Sequence, residues 1–147
     1  VTRDPAIWHH EAGHAVIAVE LRLPLWFVNV TGAVDRLGEA RLTSRGMDCC
    51  PHKLTIYALA GAAAHKKFRG GEAWPAEAAH DLQIARRIVE WTTRHPRSVE
   101  DAWTEHLVLA EAMVIANWNA IERVARELAW KGELVGTRVK QLMEATK

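Results

Sequence analysis

The sequence predicts a mainly α-helical fold with a small β-hairpin or sheet, and three observations point to it. Apolar residues recur at helical spacing in segments punctuated by Pro and Gly. One stretch, Leu25 to Thr31, is instead rich in aromatic and β-branched residues. The 147 residues suit one domain, residues 1–147, with a core of its own.

Taken in order, Asp4-Pro5 opens the first helix, because an aspartate caps free N–H groups and proline loses nothing at the first helical position. That helix is expected to run to about Leu23 and stop at Pro24. Leu25 to Thr31 reads as a strand, with Gly38 to Thr43 as its partner. Pro51 starts a second helix whose apolar run, Leu54 to Ala64, ends at Arg69-Gly70-Gly71. A third, from about Glu77 to Arg94, places Leu82, Ala85, Ile88, Val89 and Thr92 on one stripe and ends before Pro96. Ser98, with Asp101 three places on, begins a long helix expected to reach Trp130. Gly132 closes it, and Leu134 to Ala145 forms the last helix.

Composition removes several classes of function. A formal charge of +1 provides no overall field for nucleic acid or anionic lipid. The strongly apolar run Ile56 to Ala64 is far short of the roughly 20 residues that span a bilayer, so no membrane span is expected. The two cysteines, Cys49 and Cys50, are adjacent, which suits neither a disulfide framework nor a Cys-x-x-Cys pair, and a reducing, cytoplasmic setting is the expectation. No secretory leader pattern follows Val1, so the chain reads as trimmed or processed. The seven tryptophans are expected in core and interface packing, and His65-Lys66-Lys67-Phe68-Arg69 as a solvated helix end. Cys49-Cys50-Pro51-His52 is read as a turn in preference to a second metal site.

The segment that carries chemistry is His10-Glu11-Ala12-Gly13-His14. At about 100° per residue the two histidines stand only about 40° apart, one turn above the other, so their imidazoles can converge on one cation. Glu11 is rotated aside, where it can miss the ion and still reach an attacking water, as a zinc hydrolase requires. Gly13 costs a helix up to about 1 kcal/mol relative to alanine, which implies close approach of a neighbouring element. The third ligand is open on spacing alone: His52, His65, His80, Asp81, His95, His106 and several glutamates are all available. Asp81, at the start of an amphipathic run, and its neighbour His80 have the best local cases and divide nearly evenly.

Three ordered segments resemble the peptidase domain of the FtsH family of ATP-dependent zinc metalloproteases. Trp8 to Val16 is close to that family's aromatic-His-Glu-Ala-Gly-His-Ala signature, and Ile56 to Ala64 is similar to its small-residue helix. Ala79-His80-Asp81-Leu82-Gln83-Ile84-Ala85 resembles the segment whose aspartate completes the metal site, which assigns that role to Asp81. Asn119 to Val139 is similar to the family's closing helices, so the resemblance covers nearly the whole chain.

The resemblance implies a helical zinc endopeptidase: His10, His14 and Asp81 as ligands of Zn2+, Glu11 as general base, and a protein or peptide as substrate. It also marks departures. The chain has no Walker sequence, so a separate ATPase or adaptor is an expected partner and a free-standing or truncated homologue the expected form. A homo-oligomer fits the same resemblance. His65-Lys66 replaces the family's paired glutamates, which leaves the tuning of the metal ligands in question. The segment between Arg94 and Ser98 is much shorter than the family's. The rival readings are a non-catalytic adaptor or oligomerisation module, which would not need Glu11, and a regulatory protease that cleaves one dedicated partner.

Overall fold

A computed structural model describes residues 3–32, 37–44 and 50–145. Helix α1 (Pro5–Glu20) starts as its sequence dictates, with the Asp4 carboxylate accepting the Ala6 N–H at 2.9 Å and Pro5 in the first turn. It ends three residues before the expected Leu23. Arg22 adopts a left-handed conformation (φ 60°), and the Leu23 and Arg22 N–H groups close back on the Ala18 and Val19 carbonyls at 2.8 and 3.0 Å. That capping turn stops the helix before Pro24 is reached.

Helix α1 is buried on nearly every side and so lies at the centre of the molecule, packed against the other helices and the sheet. Strands β1 (Leu25–Asn29) and β2 (Glu39–Leu42) pair antiparallel, with Val28 opposite Ala40 and an irregularity between Leu25 and Phe27. Helix α2 (Pro51–Arg69) packs tightly along α1. A Cβ on Gly13 would stand 2.6 Å from the Ala64 Cβ and 2.8 Å from the Ala60 carbonyl, which is the close approach that Gly13 implied. A short 3-10 turn (Ala76–Ala78) leads into α3 (Ala79–Thr92), whose Ala85 and Val89 are buried while Thr92, expected on the same stripe, is exposed.

The single long helix expected to reach Trp130 is two helices, α4 (Val99–Ala116) and α5 (Trp118–Lys131). Asn117 divides them: its side-chain amide donates to the Met113 carbonyl at 2.9 Å, the local backbone bonding that makes asparagine a poor helix-interior residue. The chain after Gly132 also departs from expectation. Gly132 takes a left-handed conformation (φ 79°), and Glu133–Val135 form β3 against β1, with Leu134 opposite Val28, before α6 (Gly136–Glu144) begins. Three residues are too few to display a strand's alternation in sequence. The sheet order is β2-β1-β3. Ile17, Leu59, Ile121, Leu128 and Val139 fill the core between sheet and helices.

Trp8, Trp74, Trp103 and Trp118 pack against that core, whereas Trp26, Trp91 and Trp130 are exposed, so packing accounts for only four of the seven. The basic segment closing α2 is neutralised and covered: Lys66 and Lys67 lie over the Trp74 and Trp118 rings, and Arg69 pairs with Glu77. Its first residue, His65, is fully buried rather than solvated. Cys50 is an exposed free cysteine at the N-cap position of α2, where its side chain makes no capping hydrogen bond, and Cys49 lies outside the described residues. No helix among the described residues is long and apolar enough to cross a membrane.

Candidate metal centre

Burying four ionisable side chains on one central helix is costly unless each finds a partner. His9, His10, Glu11 and His14 are all buried on α1. His9 donates to or accepts nothing at the cleft; its Nδ1 donates to the Pro5 carbonyl at 2.7 Å and its ring stacks on Phe68. The other three face an open cleft of about 950 Å³, whose walls are α1, the β2 strand, the first part of α2 and α3 as far as Ile88.

His10 and His14 project one turn apart, and α3 brings Asp81 to both of them. Its Oδ2 lies 2.7 Å from His10 Nε2 and 3.1 Å from His14 Nε2. The three ligand atoms stand within 4.8 Å of one another, and this group could hold a metal ion. His80, the neighbour that spacing alone could not separate from Asp81, is exposed on the cleft wall. His52 and His106 pair with each other, and His95 is exposed.

The surroundings fit an ion bound through the Nε2 atoms. His14 Nδ1 lies 2.8 Å from the Tyr57 carbonyl, which can only accept, so Nδ1 carries the proton and Nε2 is left for Asp81 or a metal. To reach that carbonyl the imidazole lies across residue 61, one helical turn further along α2. Only glycine leaves the room: a Cβ on Gly61 would stand 2.2 Å from His14 Nε2. Sequence reasoning overlooked Gly61, whose one signal was a glycine in an alanine-rich helix. The Tyr57 hydroxyl donates to the Ala40 carbonyl at 3.0 Å and ties α2 to β2 over the cleft; burial pushes that hydroxyl's pKa up, so it stays a donor.

His65 stands behind His10, with the two Nδ1 atoms 3.3 Å apart. Burial, then the neighbouring His10 and Arg69 charges, pushes its pKa down to about 4, so the ring is neutral. Its Nε2 is buried with no hydrogen-bond partner among the described residues. When His10 Nε2 ligates an ion, His10 Nδ1–H donates to His65 Nδ1, which puts the His65 proton on that partnerless Nε2. An unpaired buried donor costs about 1–3 kcal/mol, so His65 orients His10 less favourably than a carboxylate in its place would.

Electrostatics sort the roles of the remaining groups. Burial raises the Glu11 carboxyl above its ordinary value, opposed in part by the His14 and His10 charges. Burial would raise Asp81 too, but the His14 charge and the hydrogen bonds from both imidazoles outweigh it and hold the carboxyl well below the usual range. Burial lowers His14, yet the Asp81 charge and hydrogen bond prevail and lift it to about 9.

A proton on His14 therefore competes with any cation. Since the folded pKa lies above the unfolded 6.5, the His14–Asp81 pair stabilises the metal-free fold fully below pH 6.5 and that contribution is lost as pH rises through about 9. Zinc uptake at pH 8 is expected to release close to one proton from this group, and apparent affinity to fall about tenfold per unit below it. Calorimetric titration in two buffers of different ionisation enthalpy measures this; uptake without proton release at pH 8 would contradict the assignment.

Compared with known proteins, the chain matches no family model and no curated protein.

Proposed function

We propose that this chain is a zinc-dependent endopeptidase of the kind it resembles in sequence, the peptidase domain of the FtsH family. The observation that carries the reading is the meeting of two imidazole Nε2 atoms and one carboxylate at the wall of an open cleft that Glu11 also lines. Two nitrogens and one oxygen form a donor set suited to a catalytic zinc site. Zinc bound there supplies a Lewis acid that lowers the pKa of water toward about 7 and polarises the scissile carbonyl.

The chain's own residues do the rest. Tyr57 and Gly61 seat the His14 ring, and Asp81 brings its carboxylate to the Nε2 atoms of both imidazoles. Glu11 accepts the proton of the attacking water and delivers it to the leaving amine, a double task suited to a carboxyl whose pKa burial has raised. The substrate is an extended segment of protein or peptide. It adds to the outer edge of β2, which lines the cleft and bonds no further strand among the described residues. Glu11 itself weighs against an adaptor role, because a structural site gains nothing from burying a carboxylate beside its ligands.

Metal analysis paired with cleavage of an unfolded casein tests this. The purified chain is expected to carry zinc and cut casein, to stop on chelation and to recover with added zinc, while His14→Ala loses one equivalent of zinc together with activity. Zinc held by His10, His14 and Asp81 without cleavage of casein or of an unfolded peptide library would overturn the endopeptidase reading.

A further inference from the structure

We propose a second metal site, built by His52 in the first turn of α2 and His106 on α4, which takes a borderline transition-metal ion such as Zn2+ or Ni2+ and clips the two helices together. It stands apart from the proposed peptidase centre and does not depend on that reading.

The geometry is that of two ring nitrogens already held face to face at close to the separation of two ligands on one ion. His52 Nδ1 and His106 Nε2 are 2.8 Å apart, with ring centroids 4.7 Å apart and planes inclined at 65°. His106 Nδ1 lies 2.7 Å from the Ala102 carbonyl, so it must be the N–H of that ring, and in the neutral imidazole Nε2 is then a lone pair directed at His52. This is the arrangement by which metal-bound histidines are oriented: one ring nitrogen fixed by a backbone carbonyl, the other left to the ion.

Two nitrogens each about 2.0–2.1 Å from one ion, at 90–109° to one another, stand about 2.9–3.4 Å apart. An ion would sit to one side of the N···N line, so the rings would separate by a few tenths of an ångström and turn to bring both lone pairs onto it. His52 moves its proton to its own Nε2, which needs no new partner because the residue is exposed, and water completes the coordination. Imidazole nitrogen selects zinc, nickel and copper over calcium and magnesium.

The charge around the pair permits this. Partial desolvation, then the His106 and Arg97 charges, lower the His52 pKa, which favours the neutral ring that an ion requires. The Arg97 guanidinium is itself paired with Glu105, the residue preceding His106. An ion here would hold the first turn of the helix that carries Tyr57 and Gly61, the residues that seat His14. The sequence drew attention to His52 through its neighbours Cys49 and Cys50; the partner that the fold supplies is instead an imidazole 54 residues away.

Equilibrium dialysis against Zn2+ or Ni2+ tests the site. The wild-type chain is expected to bind two ions, and His52→Gln and His106→Gln one each with casein cleavage retained. His14→Ala is expected to keep the second ion and to show a melting point that rises with added Zn2+, a rise absent from His14→Ala/His106→Gln. Unchanged stoichiometry in both glutamine variants would overturn the proposal, as would a folded His14→Ala protein that binds no ion. If His14→Ala fails to fold, the wild-type and glutamine stoichiometries decide alone. Loss of casein cleavage with two ions still bound would count against the peptidase reading and leave this one standing.

Discussion

Glu11→Gln is expected to leave the fold and bound zinc intact while lowering kcat/KM on unfolded casein by about 10²–10⁴. The amide keeps the shape of the carboxylate, so α1 packing and the positions of His10 and His14 are undisturbed. What disappears is the acceptor for the water's proton. In the metal-free chain the substitution should also be neutral or stabilising above the Glu11 pKa, because the raised folded pKa means that the ionised carboxylate opposes folding there. Turnover, zinc content and melting point measured on one preparation separate the outcomes. Turnover within tenfold of the parent with zinc bound would remove Glu11 as the base. A lowered melting point of the metal-free variant would instead assign it a structural role.

The His10-His14-Asp81 group was legible in unequal parts, and the reason is the range of the interactions involved. His10, Glu11 and His14 were readable because helical geometry relates residues one turn apart, and Asp4-Pro5 fixed where that helix begins. Asp81 stands 67 residues beyond His14, and its place depends on how α3 docks on α2, which no local spacing encodes. Gly61 and Tyr57 were overlooked for the same reason: their roles are contacts between helices, and in sequence they are one glycine and one tyrosine in an apolar run. The fold shows the same division. Helix starts with proline or a capping side chain at Pro5, Pro51 and Ser98 were recovered, while the break at Asn117 and the three-residue strand after Gly132 were not. Asn117 lies within a continuous apolar pattern, and β3 exists because β1 offers it an edge.

Asp81→Asn and His80→Ala are expected to separate by a wide margin in zinc affinity. In the proposed centre the carboxylate would do two things: offer an anionic oxygen as third ligand, and offset with its charge that of the cation beside two neutral imidazoles. The amide retains an oxygen of similar position but no charge. Changes to groups merely behind a ligand cost roughly 10–100-fold, so loss of a ligand's charge should cost at least that much. Part of the loss is masked at low pH, because Asp81 also raises the His14 pKa to about 9 and so strengthens the competing proton. In Asp81→Asn that competition falls away, and zinc affinity should become less dependent on pH between 6.5 and 9 even as it weakens. His80 is exposed and forms no part of the three-residue group, so His80→Ala should bind zinc within a few-fold of the parent. Zinc titrations of the two variants at pH 6.5 and 9, each in a His106→Gln background that removes the second ion, provide the comparison. Loss of zinc in the His80→Ala protein with retention in Asp81→Asn would transfer the third ligand to His80 and overturn the centre described here.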